Sequence, residues 1–168
     1  MSLRGLNVAS GPGPAETVSR TVLVILRMYL GVIFLVAVWP KLTADPGWVT
    51  RLPDILAQGA LQRGHPFYQA FIRNTVLPHV TLFGNLIMTG ELLTGISLLT
   101  GTATRVGAAG AMFLVLNYMF SKGNWFWTPS SNDAAFFFIG LVLMLGAAGR
   151  TLGADHYLAK HYPENIFW

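Results

Sequence analysis

Residues 21–39 read TVLVILRMYLGVIFLVAVW, an apolar run of 19 residues in which Arg27 is the single charged side chain. A helix rises about 1.5 Å per residue, so a run of this length can cross a hydrocarbon core of roughly 30 Å. A cleaved secretory signal would be shorter and would end in a small-x-small motif. This run is followed instead by Pro40 and Lys41. We therefore predict an uncleaved membrane span at residues 21–39.

Three further apolar runs follow along the chain, at residues 80–100, 104–120 and 131–149. Only a tight turn separates the second span from the third, which makes these two spans antiparallel neighbours. Four buried helices of a soluble protein would need an amphipathic outer layer, and no segment of this chain supplies one. The patterning therefore predicts an all-α fold, an integral membrane four-helix bundle at residues 21–150.

The segments outside the four spans differ in character. The first connection, residues 40–79, is long, and both Pro53 and Pro66 stand where a helix would have its first turn. We predict that this extracytoplasmic loop carries short helices lying in the membrane interface. Residues 1–20 are expected to form a flexible tail, and residues 151–168 form the C-terminal tail.

Composition excludes several classes of protein. Charged residues make up 11% of the chain, against roughly 25% in soluble domains, so a soluble enzyme is excluded. The chain has no cysteine, which removes disulfides, Fe–S clusters and thiolate zinc sites. No dense Lys/Arg cluster indicates nucleic acid as a partner. The four histidines lie at or beyond the ends of the spans, so neither a haem held by two histidines nor another metal site is expected.

Four spans place both termini on one side of the membrane. The basic residues outside the spans divide evenly between the two sides, and Arg27, nearer the terminal end of its span, tips the balance. The positive-inside rule then places both termini in the cytoplasm. The expected location is the bacterial inner (cytoplasmic) membrane, with the chain as a multi-pass protein.

Two opposite charges lie within the predicted spans. By helical rise, Glu91 is about 13 Å and Arg27 about 10 Å from the terminal face. The matched depth predicts an intramembrane ion pair between Arg27 and Glu91, because an isolated charge in hydrocarbon costs at least about 2.5–3.5 kcal/mol. The alternative is that Glu91 is a proton-carrying or quinone-contacting carboxylate, which makes it the candidate catalytic residue. Asn117 is expected to hydrogen-bond across a helix interface.

Three motifs, taken in order, resemble those of the DoxX family, and the resemblance covers about residues 20–160. They are Arg27-x-x-x-Gly31-x-x-Phe34 with Pro40-Lys41-Leu42, Glu91-Leu92-x-x-Gly95 with Thr104-Arg105, and Gly149-Arg150-x-Leu152-Gly153-x-Asp155. The resemblance implies a four-helix membrane protein. Some family members are subunits of thiosulfate:quinone oxidoreductase, and others belong to membrane-bound oxidoreductase assemblies. The polar positions that match are Arg27, Lys41, Glu91, Arg105, Arg150 and Asp155. The long first connection and the extended C-terminal tail depart from the family pattern.

Three functions follow as hypotheses. The first is an accessory or structural subunit of a larger bacterial membrane electron-transfer complex, whose partners are lipids and other membrane subunits. The second is a subunit of a thiosulfate:quinone oxidoreductase-type enzyme, with a quinone pocket near Glu91 and an outer anion site drawn from Lys41, Arg51, Arg63 and Arg73. The third is a small membrane scaffold or transporter. No covalently bound cofactor is expected, and a quinone, lipid or pigment would be held through a partner.

Overall fold

A computed structural model describes residues 14–44, 47–146 and 148–161 of the chain. Every regular element within these residues is helical, as the sequence predicts. The helices are α1 (Pro14–Thr43), α2 (Trp48–Gln58), α3 (Ala60–Arg63), α4 (Pro66–Phe71), α5 (Val80–Thr100), α6 (Thr104–Ser121), α7 (Asp133–Leu145) and α8 (Ala154–His161). A π-helical turn (Ile72–Val76) and a 3-10 turn (Leu77–His79) join α4 to α5, and a 3-10 turn (Ala148–Arg150) follows α7.

The four long helices form an antiparallel bundle. α1 packs on α5, α5 on α6, α6 on α7, and α7 returns to α1. Leu30, Phe34, Leu98, Leu114 and Leu143 fill the space between them. We call the end of the bundle that holds the α5–α6 turn and α8 the terminal side. The opposite end, which holds residues 47–79 and the α6–α7 connection, is the loop side.

The register between α1 and α5 is set by two glycines. A Cβ atom on Gly31 would lie 2.8 Å from the backbone nitrogen of Leu99 and 3.1 Å from the carbonyl oxygen of Gly95. A Cβ atom on Gly95 would lie 2.7 Å from the Leu35 side chain. Only glycine permits this approach, so Gly31 is held level with the last turns of α5.

Two segments are long and apolar enough to cross a membrane, Ser19–Thr43 and Pro66–Thr100, judged by length and composition. The second is longer than the predicted span at residues 80–100 because α4 and the two short turns run into α5 without a break. α7 is a shorter apolar helix. The four-span topology therefore stays a prediction, whereas the all-helical architecture is confirmed.

Several predicted boundaries differ from those observed. Residues 14–20 of the expected flexible tail belong to α1; residues 1–13 lie outside the described part. The fourth span ends early, since α7 stops at Leu145 before Gly146 and Gly149, both poor helix formers. Within the expected C-terminal tail, α8 occupies Ala154–His161, and residues 162–168 are not described.

Candidate functional site

Glu91 is the centre of a polar cluster inside the bundle. It lies in the middle of α5 and is 1% exposed. Its Oε1 atom accepts hydrogen bonds from Nζ of Lys41, in the last turn of α1, and from the hydroxyl of Tyr118 on α6. One carboxylate oxygen thus joins three helices.

The Lys41 ammonium is held by aromatic faces as well as by the carboxylate. Its Nζ lies 5.0 Å from the ring centroid of Trp48, the first residue of α2, and 5.7 Å from that of Tyr118. An ammonium over an aromatic face gains about 0.5–2 kcal/mol, more where water is excluded. The Lys41 side chain is 15% exposed, and it extends from the last turn of α1, at the loop-side end of that helix.

Two buried polar atoms of this cluster lack hydrogen-bond partners among the described residues. They are Oε2 of Glu91 and Nε1 of the Trp48 indole. An unsatisfied buried group costs about 1–3 kcal/mol. The second carboxylate oxygen is therefore open to a donor, either a proton of its own or a hydroxyl of a ligand.

Asn117 lies beside the cluster and links α6 to α4. Its Oδ1 accepts a hydrogen bond of 2.9 Å from the Tyr68 hydroxyl, and its Nδ2 donates to the Phe113 carbonyl at 2.7 Å. The side chain thus bridges two helices, although the partner helix belongs to the first connection rather than to a predicted span.

The predicted Arg27–Glu91 ion pair is wrong. Arg27 is 2% exposed, and its Nη2 donates a hydrogen bond of 3.0 Å to the carbonyl of Leu152. The cause is register: with Gly31 level with the last turns of α5, Arg27 lies beside Gly101, at the end of that helix. Glu91 precedes Gly101 by ten residues, which is about 15 Å of helical rise. Depths counted from the ends of the apolar runs missed this offset.

Arg27 belongs to a second cluster, in which the C-terminal segment closes the terminal side. The carboxylate of Asp155, at the start of α8, accepts hydrogen bonds from the backbone nitrogens of Ala103 at 2.6 Å and Thr104 at 2.8 Å. The Asp155 nitrogen donates to the Gly101 carbonyl at 2.8 Å. A carboxylate on the first N–H groups of α6 satisfies unpaired donors and the helix dipole.

Glycines make room for this second cluster. A Cβ atom on Gly149 would lie 2.0 Å from Oδ2 of Asp155, and one on Gly153 would lie 2.3 Å from Nη1 of Arg27. Gly149, Gly153 and Asp155 of the third sequence motif are thus brought together with Arg27 of the first. Of the other matching positions, Arg105 lies in the first turn of α6 and Arg150 in the 3-10 turn after α7.

Tyr118 and Trp48 are the functional residues that sequence reasoning did not connect to Glu91. Lys41 was singled out only through the family resemblance and as an outer anion ligand. The sequence feature that predicts the Lys41–Glu91 contact is the pair of small residues Gly31 and Gly95, because their contact fixes the register between α1 and α5. Once these are placed in contact across antiparallel helices, Lys41 falls near Glu91 rather than at the outer surface.

The site is suited to proton exchange and to hydrogen bonding with a neutral polar group. Within the described ranges no cluster of three or more His, Cys, Asp or Glu side chains is arranged to hold a metal ion. A shallow cavity of about 490 Å³ lies elsewhere, on the terminal side, lined by Thr100, Leu152, Gly153, Ala154, His156 and Tyr157.

Comparison with known proteins identifies the family of this chain. The DoxX family model matches residues 22–123, more than half of the chain. The match includes Arg27 and all members of the Glu91 cluster, whereas the closing motif around Asp155 lies beyond it. No curated protein and no solved structure matches the chain. The chain belongs to the DoxX family.

Proposed function

We propose that this protein is a four-span subunit of the bacterial cytoplasmic membrane that acts as an accessory component of a larger electron-transfer complex. The observation that carries the proposal is the distribution of its side chains. Large apolar side chains cover the outside of the bundle, whereas Arg27 and Glu91 are buried inside it. The exposed apolar residues include Ile25, Val32 and Val36 on α1, Leu82, Leu86 and Leu93 on α5, Val106 and Phe113 on α6, and Phe138, Val142 and Leu145 on α7.

An apolar surface of this extent must be shielded from water. Soluble monomers rarely expose apolar patches larger than a few hundred Å², and this surface extends over all four long helices. Lipid supplies such a cover without any partner. Ionisable groups in membrane proteins face the bundle interior and pair there, which is the position of Glu91 and Lys41.

Packing supports four spans rather than two. The segments Ser19–Thr43 and Pro66–Thr100 qualify as spans by themselves. α6 packs along α5, and α7 packs along both α6 and α1. If α1 and α5 cross the membrane, α6 and α7 therefore lie in the same layer. The even split of basic residues, tipped by Arg27, favours termini in the cytoplasm.

We infer the accessory role because this chain would depend on partner subunits for electron carriers. Cysteine is absent from the sequence, and the described residues offer no ready-made metal site. Electron carriers would therefore be supplied by partner subunits, while this chain contributes helix surface and the Glu91 cluster.

The test is purification from its native membrane in mild detergent. The proposal expects a fixed-stoichiometry set of redox subunits to co-purify with this chain. The chain isolated from them should show no thiosulfate-dependent quinone reduction. A single species in mild detergent, or turnover by the isolated chain, would overturn the accessory role.

A thiosulfate:quinone oxidoreductase-type subunit is the second candidate, favoured by the unpaired Oε2 atom of Glu91. That atom can accept a hydrogen bond from a quinol hydroxyl. Lys41 no longer belongs to the expected anion site, because it binds Glu91; the exposed Arg51, Arg63 and Arg73 remain. If this candidate holds, Glu91→Gln should abolish quinone reduction by the complex, whereas unchanged rates would contradict it.

A further inference from the structure

We propose that Glu91 exchanges protons with the loop side of the membrane only, by way of Lys41. The inference rests on the membrane placement in the proposed function, but it requires neither a quinone nor a partner subunit. Protons reach the carboxyl group of Glu91 from the compartment on the loop side and do not reach it from the compartment on the terminal side.

The carboxylate is in direct contact with a proton donor. Oε1 of Glu91 is bonded to both Lys41 and Tyr118, whereas Oε2 has no partner within the described part of the chain. In the exchange step, the N–H bond of Lys41 that points at Oε1 breaks and an O–H bond forms on that same oxygen of Glu91. This leaves a neutral amine and a neutral acid, and the amine then takes a proton from the loop side.

The connection to the loop side is short. Lys41 lies in the last turn of α1 and is partly exposed, while Glu91 is fully buried. The titratable groups that face the carboxylate are Lys41 from α1 and Tyr118 from α6, and α2 contributes the Trp48 ring against the ammonium. Tyr68 of α4 stands next along this side, bonded to Asn117.

The terminal side is closed by an apolar layer and a charge. Leu30, Phe34 and Leu98 occupy the level between Glu91 and Arg27, and each is at most 4% exposed. Thr94, three residues beyond Glu91 in α5, is also buried there and is polar. Beyond them Arg27 carries a buried positive charge, which repels an approaching proton much as fixed arginines do in channels that exclude protons. Glu91 and Gly101 are separated by about 15 Å of helix, so no single side-chain movement bridges the gap.

The test labels the native carboxyl group from each side. Membrane vesicles of right-side-out and inside-out orientation are treated with a water-soluble carbodiimide, which reacts with the protonated acid, and with taurine as a membrane-impermeant amine. Mass spectrometry of the peptide containing Glu91 then gives the labelling rate. We expect the loop side to label at least roughly tenfold faster, the ratio that a barrier difference of about 1.4 kcal/mol produces.

Variants separate the pathway from general accessibility. Lys41→Met removes the cation that keeps Glu91 ionised, so loop-side labelling of the protonated acid should become faster while terminal-side labelling stays slow. The matched control Lys122→Met, a lysine of the α6–α7 connection paired with Asp133, should change neither rate. Phe34→Ser should admit labelling from the terminal side by wetting the apolar layer. Should Lys41→Met fail to fold, the comparison of the two vesicle orientations with the native chain still decides the proposal.

Each outcome is informative. Equal labelling from both sides would overturn the one-sided connection. No labelling of Glu91 from either side, while exposed Asp54 on α2 reacts, would show a sealed structural pair and also overturn it. Vesicle sidedness is checked with impermeant maleimide on Thr102→Cys and Ala57→Cys in this cysteine-free chain. If these two sites label from the same side, the proposed membrane placement fails instead.

Discussion

Removing the charge of Glu91 is the perturbation for which the structure predicts the largest loss of stability. Glu91→Gln preserves the side-chain volume but leaves the Lys41 ammonium, 15% exposed, without its counter-ion. Tyr118 also loses a charged acceptor. Breaking a buried ion pair by removing one partner costs about 3–5 kcal/mol. Because Lys41 is partly exposed and keeps its contact with the Trp48 ring, we expect the lower end, about 3 kcal/mol.

The assay is a double-mutant cycle on the free energy of unfolding in detergent. Glu91→Gln, Lys41→Met and the double variant are compared with the parent chain. The double variant should lose less than the sum of the single variants, because neither charge is left alone. Arg27→Met combined with Glu91→Gln should instead be additive within about 0.5 kcal/mol, since these residues share no partner.

A matched control comes from a pair whose lysine is solvated. Lys122 is 56% exposed and its Nζ lies 2.8 Å from Asp133, which is 8% exposed. Asp133 keeps hydrogen bonds from Ser131 and Asn124 when Lys122 is removed, so Lys122→Met should cost about 1–2 kcal/mol, less than Lys41→Met. Additive losses for Lys41 and Glu91, together with strong coupling between Arg27 and Glu91, would refute the reasoning.

Two further predictions concern the packing of the bundle. Gly31→Ala places a Cβ atom 2.8 Å from the backbone of Leu99 and should lower the unfolding free energy by about 1–3 kcal/mol. The control Gly90→Ala, whose Cβ atom would meet only Leu114 methyl groups at 3.7 Å, should be neutral or gain up to about 1 kcal/mol in a helix; a loss as large as that of Gly31→Ala would contradict the register. Asp155→Asn should lower the free energy of unfolding by about 1–2 kcal/mol, because it disturbs two hydrogen bonds to the backbone of α6. The control Asp54→Asn, at an exposed position, should leave the melting temperature unchanged. Equal melting temperatures for the two variants would count against the capping role of Asp155.

Local patterns predicted the helices best where a strong signal marks each end. The predicted span at residues 80–100 matches α5 because Gly101 adopts a left-handed conformation with φ of 71° and ends the helix. α6 starts at Thr104, as expected after a tight turn. The ends of α1 and α7 differ from the prediction for opposite reasons. α1 continues through polar residues on both sides of its apolar run, whereas α7 stops at Leu145, where Gly146 interrupts an apolar run.

The candidate site depended on information that no single segment carries. Glu91 was recognised as a buried carboxylate from its place in an apolar run, and Lys41 from the family motif. Their pairing is set by the close contact of Gly31 with Gly95, two residues far apart in the sequence. Without that register, the partner of Glu91 can be predicted only from the depth of each charge below the end of its span. That depth favours Arg27, whereas the structure pairs Glu91 with Lys41.

Cysteine accessibility at four sites tests whether the chain is a four-span membrane bundle with its charges inside. Thr102 and Tyr157 lie on the terminal side, and Ala57 and Trp127 on the loop side; all four are exposed. The chain has no cysteine, so each single-cysteine variant reports one position to an impermeant maleimide. We expect Thr102→Cys and Tyr157→Cys to react from the cytoplasm, and Ala57→Cys and Trp127→Cys to react from the opposite side. Reaction of all four from one side would contradict it.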